Sequence, residues 1–348
     1  MKDTILLLAF GFILLIKGGD WFVDGATGIA RRFHLPEILI GATIVSIGTT
    51  LPEVMVSAGA AMAGSGSIAY GNAIGSIICN TSLIAAITIA IKPAPAARKS
   101  IVIPVCFFFG AAAFYCLAAY VFGFFYRWTG IVLLAAFVVY MVSTILRMKK
   151  TADDIGLIPE EDQMTASDVE HAIEARSGED HVVESAEEGT KDSLLKDILM
   201  LIGGAAVIAL GADMLVDNAT LLAQQFGVSE KVIGLTIVAL GTSLPELVTA
   251  ITSLLKGHGS LSLGNIIGAN LFNLVLVSGV AVTLNPFEVP VAGLIGGVNA
   301  SLVLDIPVMM AVMAIMTIPT IIKQKLSRWQ GIALLGIYAA FCALQFVL

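Results

Sequence analysis

Two stretches of the chain place a carboxylate, two hydroxyls and a proline inside apolar runs long enough to cross a bilayer. They are Gly48-Thr49-Thr50-Leu51-Pro52-Glu53 and Gly241-Thr242-Ser243-Leu244-Pro245-Glu246. Hydrocarbon offers no water to such groups, so burying them is costly unless they line a cavity or bind something. Pro52 and Pro245 have no N–H for the carbonyl four residues earlier, and the ring disfavours helix just before it. The backbone over Ser46–Thr50 and Ala239–Ser243 is therefore expected to unwind and free carbonyl oxygens. Carboxylate, hydroxyl and carbonyl oxygens around one gap are what a hard cation needs to replace its water shell; calcium takes about six to eight of them. Glu53 and Glu246 together also match the charge of a divalent ion.

A second polar stripe follows each copy: Gly71-Asn72-Ala73-Ile74-Gly75-Ser76 with Asn80, and Gly264-Asn265-Ile266-Ile267-Gly268-Ala269-Asn270 with Asn273. Asn72, Ser76 and Asn80 recur every four residues and share one helix face, which is expected to look at the same site. The glycines suit close helix packing. No His-Glu-x-x-His or Ser/His arrangement accompanies the glutamates, so the reading is a transporter rather than an enzyme. The paired acids Asp20/Asp24 and Asp213/Asp217 read as solvated helix surface, and Asp305 as a boundary residue at the end of a helix.

The elements that must position these residues are membrane helices. Of the 348 residues 57% are hydrophobic and only 13% charged, with mean hydropathy +0.94. A soluble domain carries about a quarter charged residues. Cys79, Cys106, Cys116 and Cys342 all lie in apolar runs without metal spacing and read as small hydrophobes. A helix needs about 20 apolar residues to span, and ten such runs occur: 4–30, 37–62, 68–90, 101–122 and 128–147, then 195–223, 231–255, 261–284, 303–322 and 329–347. The expected fold is an all-α polytopic membrane protein of ten transmembrane helices.

The chain is internally repeated. A gapless shift of 193 residues aligns Asp20 with Asp213 and Asn80 with Asn273, with 26 identities over the 61 positions between. Five helices per copy is an odd number, so the second copy enters the membrane from the opposite side, giving two inverted five-helix repeats with a site at their interface. The domains are then a first repeat over 1–150, an acidic linker over 151–192 and a second repeat over 193–348. The linker holds 14 Asp/Glu and 2 Lys/Arg from Thr151 to Asp192 and reads as a solvated connection. With the N-terminus outside, Arg31, Arg32, Lys92, Arg98, Lys99, Arg147, Lys149, Lys150, Lys256, Lys323, Lys325 and Arg328 fall in cytoplasmic loops. Only Lys2, Arg127 and Lys231 fall outside. The positive-inside rule thus puts both termini outside and the acidic loop in the cytoplasm of a plasma (inner) membrane protein.

Gly41-Ala42-Thr43 and Gly48-Thr49-Thr50-Leu51-Pro52-Glu53 with Gly71-Asn72-Ala73-Ile74-Gly75-Ser76, repeated in the second half, resemble the two alpha-repeats of the sodium/calcium exchangers. These belong to the cation/calcium exchanger superfamily, and the present chain looks like a prokaryotic type. The motifs map to 41–82 and 234–275. The resemblance implies alternating-access exchange of Ca2+ for Na+ across the lipid bilayer, without organic cofactor, ATP or nucleic acid. It implies calcium ligation by Glu53, Glu246, Thr49 and Thr242, and sodium contacts from Thr50, Ser243, Ser76 and the carbonyls of Ser46 and Ala239. Asn80 and Asn273 match polar positions flanking the centre, and Asn72 and Asn265 belong to the same stripe. The chain departs from the family at Ala269, where sodium-coupled members carry serine, at Ile77, where many carry asparagine, and at Asn273, where several carry aspartate. Those departures make a proton-coupled calcium antiporter the alternative. A passive cation channel is the remaining reading.

Overall fold

The computed structural model describes residues 2–33, 35–93, 96, 98–156, 191–225, 239–291 and 293–347. Apolar segments of spanning length become long helices: α1 (Lys2–Arg32), α2 (Glu37–Met62), α3 (Gly66–Ile91), α4 (Arg98–Phe122), α5 (Arg127–Gly156), α6 (Lys191–Gln225), α9 (Gly259–Leu284), α10 (Ser301–Lys323) and α11 (Arg328–Val347). Two shorter helices, α7 (Ala239–Thr242) and α8 (Leu244–Leu255), hold the second carboxylate stretch. Eight of the helices contain spans long and apolar enough to cross a membrane among the described residues. The run 231–255 is represented by Ala239–Leu255, its beginning lying outside them, as does 157–190 of the acidic linker. The helix ahead of the linker runs on to Gly156, past the expected end near 147. The only strands among the described residues are two ladders of two-residue strands, Phe124–Phe125 with Phe287–Glu288 and Leu294–Ile295 with Val298–Asn299. The fold is otherwise helical. Large side chains such as Phe10, Ile13, Met55, Ile131, Val139 and Ile322 face outward, as a lipid-bathed bundle requires.

α1 and α6 lie against each other along much of their length, and glycines set the distance. Gly11, Gly18 and Gly25 recur every seven residues on α1, where Gly11 faces Gly211, Gly18 faces Gly204 and Gly25 faces the backbone of Asp197 and Leu201 on α6. A Cβ at Gly204 would stand 2.5 Å from the backbone nitrogen of Phe22, and one at Gly18 would stand 3.0 Å from the Gly204 carbonyl oxygen. In lipid, where apolar surface gains little by burial against other apolar surface, such close approach supplies the association. The last helix of each half crosses to the other half. α5 meets α9, with Gly130 against Gly279 and Thr283, and α11 meets α3, with Gly331 against Ala86 and Ala90.

The 193-residue repeat is written in the backbone as well. Gly64 and Gly257, aligned by the shift, both take positive φ, +78° and +84°. Each leads into a regular helix of 14 residues, Gly66–Cys79 and Gly259–Phe272. Each of those then passes into a π-turn that opens on an aligned asparagine, Asn80 or Asn273.

Loops gather at two ends. At one end Lys256 meets Asp20 and Asp24, His258 meets Glu37, Arg32 meets Asp197, and Ala96 N donates to Gln324 O. At the other, Phe124 and Phe125 pair with the segment after α9, Asn285 Nδ2 donates to Ala61 O, and Tyr126 and Trp128 stack within an aromatic cluster of the kind found at membrane interfaces.

The glycine contact yields a prediction. Gly204→Leu forces α1 and α6 apart, and over-packing of that kind costs about 1–3 kcal/mol. The check is the thermal unfolding midpoint of the purified protein in detergent, which falls for Gly204→Leu and holds for Gly203→Leu, whose Cβ meets nothing within 4 Å.

Candidate functional site

The site is assembled from α2, α3, α8 and α9. On α2 the backbone departs from the expectation. Ser46–Met62 is a continuous α-helix through Pro52, not an unwound segment, and the irregularity sits one turn earlier as a π-turn over Gly41–Val45. A π-turn is a frequent way of re-aiming side chains at a functional position. Two of its carbonyls take side-chain donors. Ser46 Oγ donates to Gly41 O (2.7 Å), and Tyr140 Oη, from α5, donates to Ala42 O (3.0 Å).

The second copy does break, but at one residue. Ala239–Thr242 is helical, while Ser243 at φ −92°, ψ 6° separates it from α8, with Pro245 in the first turn where its missing N–H costs nothing. The two copies of one sequence motif therefore carry their carboxylates differently, Glu53 in mid-helix and Glu246 in the first turn of a new one.

Both carboxylates are completely buried, and none of their four oxygens has a hydrogen-bond partner among the described residues. They stand close enough to repel one another, and the Thr49 side chain lies beside Glu246. Around them Thr50, Ser243, Asn80 and Asn273 are fully or almost fully buried, with side-chain oxygens that likewise find no partner. Isolated buried charge is penalised by several kcal/mol per ion even after relaxation. Such a pair requires protons or cations.

A hydrogen-bonded frame holds this set. Ser46 Oγ also lies 3.0 Å from Asn265 O and 3.3 Å from Asn265 Oδ1, while Thr49 Oγ1 donates to Asn265 Oδ1 at 3.2 Å and reaches Ser46 O at 3.4 Å. Asn72, half-buried, donates to Glu53 O (3.1 Å) and Ser57 Oγ (2.9 Å), so it secures the turn that carries Glu53. Helices α2 and α9 come this close because Gly41, Gly264 and Gly268 face them. A Cβ at Gly41 would strike the backbone of Leu261 and Asn265, and one at Gly264 that of Ile38. Gly71 and Gly75, expected to serve the same way, meet nothing within 4 Å among the described residues. Ser76 is buried on α3, Thr242 is half-buried at the end of α7, and Ala239 opens that helix.

Several contributors escaped the sequence reading. Asn270 Nδ2 donates to Thr81 Oγ1 (2.7 Å) and lies 3.2 Å from Met313 Sδ, leaving its Oδ1 unbonded. Thr249 and Ser253 continue the buried face of Glu246; their three- and four-residue spacing was the available signal. Asp305 stands where the π-turn that opens α10 passes into its α-helix, and there it is buried and accepts from Gln345 Nε2 at 2.8 Å. Asp20 and Asp24 are not merely solvated surface, since Lys256 Nζ lies 3.4 Å and 2.7 Å from them. Among the described residues no three His, Cys, Asp or Glu side chains gather as a metal cluster. The donors at the site are two carboxylates, hydroxyls and amides, the hard oxygen set of calcium and sodium rather than the nitrogen and sulfur set of zinc.

Comparison with known proteins bears on this geometry. The profile of the family described as sodium/calcium exchanger protein matches residues 4–146 and 196–347. An uncharacterised membrane protein of Methanocaldococcus jannaschii is 32% identical over 340 residues, covering 94% of this chain and 93% of that protein. The sodium/calcium exchanger MaX1 of Methanosarcina acetivorans is 29% identical over 378 residues, covering 99% of this chain and 98% of its own. A solved structure of the sodium–calcium exchanger NCX_Mj, soaked with Na+ and Sr2+, superposes with a TM-score of 0.73 at 28% identity, covering 98% of each chain.

The frame around Asn265 can be tested apart from transport. Asn265→Ala strips partners from the buried hydroxyls of Ser46 and Thr49, a loss of about 1–3 kcal/mol. Denaturation of the purified protein in detergent should show that loss, and full stability in the variant would mean that the three side chains do not bond.

Proposed function

This chain belongs to the sodium/calcium exchanger family, and from that premise we infer that it is a secondary antiporter exchanging Ca2+ for Na+ across a membrane by alternating access. The single observation that carries the reading is the pair of fully buried, unpartnered carboxylates at the facing carboxylate stretches of the two halves. Two negative charges in a low-dielectric interior are neutralised by one calcium ion or by monovalent cations. A bundle holding neither retains the full desolvation penalty, which opposes the rearrangement that would carry bare carboxylates from one face to the other. Occupancy by one ion or the other thus becomes the condition for reorientation, and that condition is what couples the two fluxes.

In this account Glu53 and Glu246 hold calcium, with Thr49 and Thr242 as adjacent ligands. Thr50, Ser243, Ser76 and the carbonyls of Ser46 and Ala239 serve sodium. Asn80 and Asn273 flank the centre, and Asn72 and Asn265 both hold the stretch that carries Glu53. Ten spanning helices in two inverted repeats would set those stretches antiparallel at mid-membrane. The backbone correspondence at Gly64/Gly257 and Asn80/Asn273 and the exchange of the final helices between halves support that arrangement. The end that gathers Arg32, Lys92, Lys256 and Lys325 would face the cytoplasm by the positive-inside rule, with both chain termini outside.

Proteoliposomes test the reading. Vesicles loaded with sodium and diluted into sodium-free buffer should accumulate radiolabelled calcium, and added external sodium should release it. Uptake driven by a pH gradient and indifferent to sodium would make the proton the counter-ion. Calcium entry that needs no opposing ion would make the protein a channel. Glu53→Gln should abolish the sodium-driven uptake while the protein still purifies as a folded species.

A further inference from the structure

We propose that Thr249 and Ser253 are positioning residues of the exchange route, hydroxyl steps that hold a partly dehydrated cation between Glu246 and the membrane face bearing Lys256 and His258. The proposal rests on the exchanger reading above. Glu246, Thr249 and Ser253 follow one another at intervals of three and four residues on α8, so they share one face, and each is completely buried. Neither hydroxyl has a partner among the described residues. Five hydroxyls elsewhere in this bundle, on Thr43, Thr81, Ser82, Thr317 and Thr320, instead donate to the carbonyl one turn back; Thr129 and Thr283 lack a partner too, but stand on other helices than Glu246. The bond to the carbonyl one turn back is the ordinary way to bury a hydroxyl in a spanning helix. Thr249 and Ser253 forgo it and keep their oxygens free.

Their face looks inward. The other side of α8 lies on α1, where Val248 and Thr252 meet Gly19, whereas α8 also packs on α9 and on the part of α3 that starts at Asn80. Asn80 is itself buried with both amide atoms unbonded. Beyond Ser253 the helix ends, and His258 N donates to Ser253 O at 2.7 Å. At that mouth stand Asp20, Asp24 and Glu37, drawn to Lys256 and His258. An ion passing from Glu246 by Thr249 and Ser253 would therefore emerge among three carboxylates.

The repeat sharpens the point. The 193-residue shift puts Val56 and Ala60 where Thr249 and Ser253 stand, and Ser57, on the site of Ala250, is already bonded by Asn72. Among the described residues α8 carries this pair of free hydroxyls, and the matching positions of α2 do not. The turns that follow the two glutamates are therefore chemically unlike, with Val56 and Ala60 after Glu53 but Thr249 and Ser253 after Glu246.

The test compares wild type, Thr249→Val, Ser253→Ala, the double variant and Thr249→Ser in two assays, sodium-driven calcium exchange in proteoliposomes and equilibrium calcium binding to the purified protein. The double variant should lose about tenfold in turnover, the effect of removing one hydrogen-bond-sized contact from the rate-limiting passage, while calcium affinity stays at the wild-type value. Thr249→Ser, which keeps the oxygen, should keep the rate. Wild-type turnover in the double variant would overturn the proposal. So would a rate in Thr249→Ser as low as in Thr249→Val, which would make the residue a packing element, or a parallel loss of calcium affinity, which would place the hydroxyls in the central site. Failure of the exchanger reading shows separately, as a wild type that exchanges no calcium for sodium, and both inferences then fall.

Discussion

The structure depends on one costly arrangement: two carboxylates fully buried among apolar helices, close enough to repel, with no partner on any of their oxygens among the described residues. A protein stabilised only by packing would not keep such a pair. Much of the surrounding structure follows from holding it. Glycines at Gly41, Gly264 and Gly268 let α2 and α9 approach backbone to backbone. The approach brings Asn265 within reach of Ser46 and Thr49, and those bonds fix the turn that leads to Glu53. The slipped ladder over Gly41–Val45 is stabilised in turn by Ser46 and Tyr140, which take up its carbonyls.

The internal repeat does not make the two halves equivalent. One motif yields an unbroken helix through Pro52 and, in its other copy, a break at Ser243. One end of the bundle ties the halves with Lys256, His258 and Arg32, and the shift places Ala63 and Ser65 opposite Lys256 and His258. A strictly symmetric pair of units would give two related conformations equal energy and two faces equal chemistry, and differences of this kind break that equality. Small biases of this kind set the populations of the two states, about tenfold for every 1.4 kcal/mol.

Much of this was legible in the residues. Charge scarcity and apolar runs pointed to ten spans, of which eight are found among the described residues; the 193-residue shift pointed to the duplication, and Glu53 and Glu246 announced themselves as carboxylates with no business in hydrocarbon. What could not be read were the features decided by tertiary neighbours. Pro52 was expected to unwind its own helix, but the slip had moved upstream, to where Tyr140 of a distant helix could bond the carbonyl of Ala42. The burial of Asp305 was not legible because its partner, Gln345, lies 40 residues away on another helix. Asp20 and Asp24 looked solvated because Lys256 belongs to the other half. Local pattern carries the site; its long-range partners appear only when the helices are packed.

The central claim, that a divalent cation neutralises the carboxylate pair, is tested most directly by counting bound calcium. Equilibrium dialysis of the purified protein should give a saturable calcium site in the wild type that vanishes in the Glu53→Gln/Glu246→Gln double variant and is regained by neither single variant at wild-type affinity. Unchanged calcium binding in the double variant would contradict the account.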